Sequence, residues 1–192
     1  MYYTCLDPEV IDLLKLKSVK TPEQKAVRNM DYALCFNKCF LDAVFNDEYW
    51  MLISYKDAPD LYEKFYSNDI IGFERLYNHY KTSSTNKTFV KAKQVANEFL
   101  INRQETGRVY AWFADNANSH TTFKDRIHSS NLCVEIDLPT AAFNSSFDLY
   151  KPHHESEAGE VAMCFLAAIC AGRVKEDEYE DVAYYTLPPQ IS

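Results

Sequence analysis

Short apolar runs alternate with amphipathic, helically spaced segments along this chain, and few architectures accommodate that alternation. Trp50-Met51-Leu52-Ile53-Ser54 and Val109-Tyr110-Ala111-Trp112-Phe113 are too short for helices and read as strands. Asp7-Pro8-Glu9 opens a helix, with Asp as cap and Pro at the first helical position, and Val10, Ile11, Leu13, Leu14 and Leu16 supply its apolar face. Thr21-Pro22-Glu23 opens a second, longer helix predicted to reach Asn46, because Val27, Met30, Leu34, Leu41 and Val44 recur at helical spacing. A third starts at Asp57-Ala58-Pro59, and two more are predicted over 69–81 and 87–103, joined by the polar linker Thr82–Asn86. Glu160 to Ala171 is nearly continuously apolar and predicts a fully buried strand. Helix character returns from Glu176 to Leu187, where Pro188-Pro189 stops it. Helices interleaved with buried strands place the chain in the α/β class, as a single segment over residues 1–192 with no internal domain boundary.

Composition narrows the function. A formal net charge of −8 opposes binding to a nucleic-acid backbone, which needs a basic face. The aromatics Tyr62, Phe65, Tyr66, Phe73, Tyr77 and Tyr80 are therefore expected to serve helix packing rather than base stacking. No apolar run is long enough to span a membrane, and Met1–Cys5 lacks the features of a secretory signal. Six cysteines without paired spacing predict a reduced, cytoplasmic protein. Only four glycines occur, none close enough to another to build a phosphate-cradling loop. Cys35 and Cys39, four apart on the predicted second helix, could join Cys5 around a metal, but buried free thiols are the commoner outcome, and no metal site is expected. Adjacent His153 and His154, beside Glu155, diverge and do not suggest one either.

The chemistry-bearing stretch is Ser130-Asn131-Leu132-Cys133-Val134-Glu135-Ile136, followed by Asp137-Leu138-Pro139-Thr140. In an extended chain Asn131, Cys133 and Glu135 share one face at about 7 Å per two residues. Leu132, Val134 and Ile136 would share the other and anchor the segment in a core. An amide, a thiol and a carboxylate so spaced could reach several positions of one sugar ring. By pattern alone, a half-buried strand with a polar outer face is the commoner reading.

This stretch resembles the active-site segment of the large, catalytic subunit of class I ribonucleotide reductase. Arg28-x-Met30-Asp31-Tyr32 with Asn37-Lys38, Glu105-Thr106-Gly107-Arg108-x-Tyr110, Asp115-x-x-Asn118-x-His120-x-x-Phe123 and Gly159-Glu160-Val161-Ala162-Met163-Cys164 resemble the same family in the same order. The resemblance runs from about residue 5 to residue 187. It implies part of the family's ten-stranded α/β barrel, incomplete on its own. It also implies that a thiyl radical at Cys133 takes the ribose 3′-hydrogen, that Glu135 accepts the 3′-hydroxyl proton, and that Asn131, with Ser130 beside it, binds and orients the substrate. Cys164 matches one of two thiols that supply the reducing equivalents. His120 matches a positioning residue, and Cys170 lies where many members have Asn.

The implied partners are ribonucleotide substrate, a separate small subunit whose di-metal centre supplies the radical, and a thioredoxin- or glutaredoxin-type reductant. No cofactor is expected on this chain itself. The family's large subunit is several times longer, so its second reducing cysteine, effector regions, main phosphate loop, relay tyrosines and shuttle cysteines are expected on complementary large-subunit fragments. Tyr184 and Tyr185 lie in the wrong part of the order to be the relay pair. The implied setting is the cytoplasm of a bacterial cell, or of an infected host cell if the chain is phage-encoded. Two other readings of the resemblance stay open: an inactive remnant, and an interaction protein that docks on a complete reductase and modulates it.

Overall fold

Tyr32-Ala33-Leu34-Cys35-Phe36 is buried at all five positions, and only a strand covered on both faces can hold such a run. The computed structural model describes residues 1–151, 159–164 and 168–186, and this strand is the middle of its main sheet. Two units are distinguished, Met1–Glu160 and Val161–Ser192. The first runs β1 (Tyr2–Thr4), α1 (Val10–Lys15), β2 (Tyr32–Phe36), α2 (Lys38–Phe45), β3 (Tyr49–Leu52), α3 (Pro59–Phe65), α4 (Ile70–Ser83), β4 (Thr88–Lys91), α5 (Ala92–Thr106), β5 (Val109–Phe113) and α6 (Ala114–Ser119). β1 and β5 both pair parallel with β2, Tyr2 opposite Ala33 and Phe36 opposite Phe113. β3 and β4 form a separate antiparallel pair. This is a mixed α/β segment with no closed barrel among the described residues.

The long helix expected over Thr21–Asn46 does not form. Its helical spacing was carried by too few positions, whereas Tyr32–Phe36 is apolar throughout and gains more by burying both faces in a parallel sheet. Asn37 then starts α2 by accepting the Phe40 N–H on Oδ1 at 3.0 Å. Cys35 and Cys39 consequently lie on different elements, one in β2 and the other in α2. The helix expected from residue 87 starts at Ala92, because Thr88–Lys91 pairs with β3 first. α1 begins at Val10, two residues after Pro8, with Asp7 Oδ1 accepting the Glu9 N–H at 2.8 Å.

Other elements follow their sequence signals. β3, α3 with Pro59 in its first turn, α4 and β5 lie where periodicity and punctuation put them. The dense aromatics pack between elements: Trp50 stacks on Tyr77 at 4.6 Å and meets Phe40 edge-on at 5.1 Å. The polar atoms of both rings are satisfied, Trp50 Nε1 by the Cys5 carbonyl at 2.9 Å and the Tyr77 hydroxyl by the Met51 N–H at 2.5 Å.

The second unit contains α7 (Tyr179–Thr186), preceded by short 3-10 turns at Ala171–Arg173 and Glu176–Glu178. The buried strand expected over Glu160–Ala171 is not present in its described part. Glu160 forms a single bridge with Ala141, and Val161, Met163 and Ile169 are 59%, 58% and 43% exposed. An all-apolar strand needs partners along both edges and cover on both faces, and the described residues of this unit include no sheet. His153, His154, Glu155, the expected helix end at Leu187 and the Pro188-Pro189 stop lie outside the described residues.

Candidate active site

The Ser130–Ile136 stretch is a closed turn and not the extended strand its alternation suggested. Ser130 and Asp137 bridge antiparallel, and the Asn131 N–H reaches the Ile136 carbonyl at 3.3 Å. The Asn131 side chain drives this. Its Oδ1 accepts the N–H groups of Glu135 and Ile136, both at 3.1 Å, giving the backbone a local partner that competes with a sheet ladder. Ser130 Oγ adds a bond to the Ile136 carbonyl at 2.7 Å. Val134 sits at φ +63°, a costly conformation for a β-branched residue, of the kind that concentrates at functional sites.

The turn redistributes the two expected faces. Val134 packs on the core, whereas Leu132, expected to anchor beside it, is 68% exposed. Asn131 and Glu135 are brought into direct contact, Nδ2 to Oε1 at 2.5 Å, and Cys133 stands exposed between them in sequence on the same turn. An amide, a carboxylate and a thiol are therefore still presented together, by a turn instead of a pleat. Cys164 and Cys170 belong to the second unit, and both are exposed.

Sequence reasoning passed over the residues that hold this turn. The Tyr2 hydroxyl on β1 donates to the Asn131 carbonyl at 3.0 Å, and Trp112 Nε1 on β5 donates to Asp137 Oδ1 at 2.9 Å. Tyr2 and Trp112 meet edge-to-face at 6.0 Å, and Tyr66 lies between Trp112 and His128 at 6.1 and 5.1 Å. A tyrosine and a tryptophan in strands read simply as core, and nothing local marks them as tethers. Beside the turn a cavity of about 260 Å³ is lined by Tyr2, Asp31, Tyr32, Tyr110, Ser130 and Asn131, among others.

The remaining motifs act as scaffold. Asp115 Oδ2 accepts the Lys38 N–H at 2.6 Å and so caps α2 from a distance. Asn118 clamps Ile127, accepting its N–H at 2.8 Å and donating to its carbonyl at 2.9 Å, which fixes the chain entering the turn. His120 follows α6, exposed, with its N–H on the Asn116 carbonyl at 3.1 Å. Gly107 ends α5 at φ +65°, its N–H on the Arg103 carbonyl at 2.7 Å, a left-handed cap that favours glycine. Arg108 then reaches Asp31 at 3.4 Å, so two of the sequence motifs meet. Asp31 also binds Lys17 at 2.5 Å, and the buried Lys17 ammonium, with Arg108, holds the Asp31 carboxyl below the usual carboxylate range. At Gly159, φ +109°, any Cβ would overlap the Phe143 ring, so the backbone beside the Ala141–Glu160 bridge requires glycine.

Burial separates Cys5, Cys35 and Cys39 from Cys133. It pushes the Cys35 thiol up to about 12 and the Cys39 thiol up to about 11, and it raises Cys5 well above the ordinary thiol value.

Residues 1–187 match the family model described as the ribonucleotide reductase barrel domain. The chain is 33% identical to the alpha subunit of ribonucleoside-diphosphate reductase from Buchnera aphidicola subsp. Acyrthosiphon pisum, over 97% of this chain and 24% of that protein. It is 35% identical to the alpha subunit from Haemophilus influenzae, over 91% of this chain and 22% of the relative. Against the reductase 1 alpha subunit of Escherichia coli K12 the identity is 38%, over 75% and 19%. The chain thus spans no more than about a quarter of the length of these relatives.

Proposed function

This chain belongs to the ribonucleotide reductase barrel-domain family, and from that membership we propose that it is a catalytic-core segment of a ribonucleoside-diphosphate reductase large subunit, acting once assembled with the rest of the subunit. The observation that carries this is the turn on which Asn131 and Glu135 touch with Cys133 between them.

The residues divide the work as follows. Cys133, as a thiyl radical, takes the 3′-hydrogen of the ribose and becomes a thiol, leaving a carbon radical at C3′. Glu135 accepts the 3′-hydroxyl proton, which eases departure of the neighbouring 2′-oxygen as water. Asn131 holds the Glu135 carboxylate through Nδ2 and, with Ser130, orients the sugar. Cys164 and a second thiol on a complementary fragment supply two electrons and two protons and become a disulfide, which a thioredoxin- or glutaredoxin-type reductant reopens. One proton completes the departing water and one hydrogen goes to C2′; Cys133 then returns its hydrogen to C3′ and regains the radical. A small subunit with a di-metal centre supplies the radical. On this chain Cys133 is exposed to solvent, where a thiyl radical would be quenched, so assembly is needed to exclude water as well as to complete the residue set. Among the described residues no helix is long and apolar enough to cross a membrane, and a cytoplasmic setting follows from the proposed partners.

The test is a reductase reconstituted with the missing parts, in which deoxyribonucleotide, free base and radical loss are measured together. Cys133→Ser should abolish turnover and every substrate-dependent radical event. Cys164→Ser should stop turnover later and release free base, because 3′-hydrogen removal still occurs without a reductant. Cys170→Ser should retain most activity. Glu135→Gln should slow turnover by about 10²-fold or more with substrate binding preserved. Wild-type behaviour of Cys164→Ser together with free-base release by Cys170→Ser would reassign the redox thiol, and an active Cys133→Ser would end the reading.

A further inference from the structure

The turn carrying Asn131, Cys133 and Glu135 is tied at both ends to aromatic side chains from two different strands. Tyr2 holds the Asn131 carbonyl and Trp112 holds the Asp137 carboxylate. β1 and β5 flank β2 in the sheet, so the two bonds tie the turn across the sheet's full width. The bonds within the turn, centred on Asn131 Oδ1, link its first residue to Glu135 and Ile136, so their protection depends on how firmly the two ends are held. Contacts that reach outside the turn hold those ends, the two aromatic bonds at either side and Val134 packed on the core between them. Trp112 is 3% exposed, and a buried indole N–H with a good acceptor holds that acceptor in place.

We propose that Tyr2 and Trp112 are positioning residues for the Asn131–Glu135 contact: they anchor the start and end of the turn and so set where its amide, thiol and carboxylate point. Calling the turn a reaction site rests on the proposed function; the tethering does not. The edge-to-face contact of the two rings couples the anchors, so a shift in one strand is felt at both ends of the turn. Small errors in such placement are costly wherever reacting groups must meet.

Hydrogen exchange on the whole 192-residue chain tests this without requiring turnover. Tyr2→Phe removes one tether and keeps the ring. Asp137→Leu removes the acceptor of the other, whereas Asp137→Asn keeps an oxygen for the indole. Asp137 is exposed, so these last two changes leave the core alone. The Glu135 and Ile136 amides should exchange about tenfold faster in Tyr2→Phe and in Asp137→Leu, with the Tyr32–Phe36 amides unchanged. Asp137→Asn should keep wild-type protection. Unchanged turn amides in Tyr2→Phe and Asp137→Leu would overturn the proposal, as would equal acceleration throughout β2, which would mark a general loss of stability. An Asp137→Asn variant that exchanges like Asp137→Leu would remove Trp112 from the assignment.

Discussion

At the scale of single residues, the six cysteines fall into classes that burial alone defines. Thiolate is the reactive form, and burial in apolar surroundings withholds it. Cys133, Cys164 and Cys170 are exposed; Cys39 is half-buried with its thiol at about 11; Cys35, at about 12, and Cys5 are fully enclosed. With an aromatic disulfide reagent near pH 8, the exposed three should react promptly in the native protein, Cys39 slowly, and Cys5 and Cys35 only on unfolding. Labelling followed by peptide mapping reads this directly. Modification of Cys35 as fast as Cys133 in folded protein would mean that β2 is not enclosed as described. The candidate site residues were chosen from the sequence by type, but their arrangement was not legible there. Alternation across Ser130–Ile136 is the signature of a strand, and it failed because one side chain, Asn131, bonds the backbone more locally than a neighbouring strand could.

At the scale of elements, the ion pairs around Asp31 join the end of α5 to the segments flanking α1 and β2. Lys17 at 2.5 Å is the main cause of the lowered proton affinity of Asp31, and Arg108 from beyond α5 adds to it. The folded state therefore binds this proton less readily than the unfolded chain, whose carboxyl titrates near 3.8. The stabilisation is complete above that value and disappears as pH falls through the lower folded value. Asp31→Asn should lower the thermal midpoint at neutral pH, because Lys17, only 6% exposed, loses its ion-pair partner. The gap between wild type and variant should hold constant above about pH 5 and close progressively below about pH 4. A gap that widens on acidification would exclude this pair as its source. Elements with one clear signal, such as α3, α4 and β5, were legible before the structure. β2 was not, because residues on either side of it extend a helical spacing through a segment that is apolar on both faces. The Glu160–Ala171 run failed for the opposite reason, since apolar residues alone do not make a strand where no sheet receives them.

At the scale of the whole molecule, the chain spans no more than about a quarter of the length of its reductase relatives. β1 and β5 form the two outer edges of the parallel sheet, and no strand among the described residues pairs with either outer edge. Phe45 and Ile71 on the first unit are 88% and 71% exposed. In the second unit Tyr184 and Tyr185 are 74% and 82% exposed, and it is shorter than the roughly 40 residues below which a lone core seldom suffices. Unpaired strand edges and uncovered apolar side chains both favour association. Under the proposed function, the parts of a reductase alpha subunit that this chain does not span would supply the cover, because the matched family is a barrel domain and a barrel leaves no edge open. The purified chain should therefore self-associate at micromolar concentration, while coexpression with the flanking parts of a reductase alpha subunit should give a soluble complex of defined stoichiometry. Sedimentation velocity across a concentration series separates the outcomes. A monodisperse monomer that unfolds in one cooperative transition would show that the open edges are stable as they stand, and would count heavily against the fragment reading.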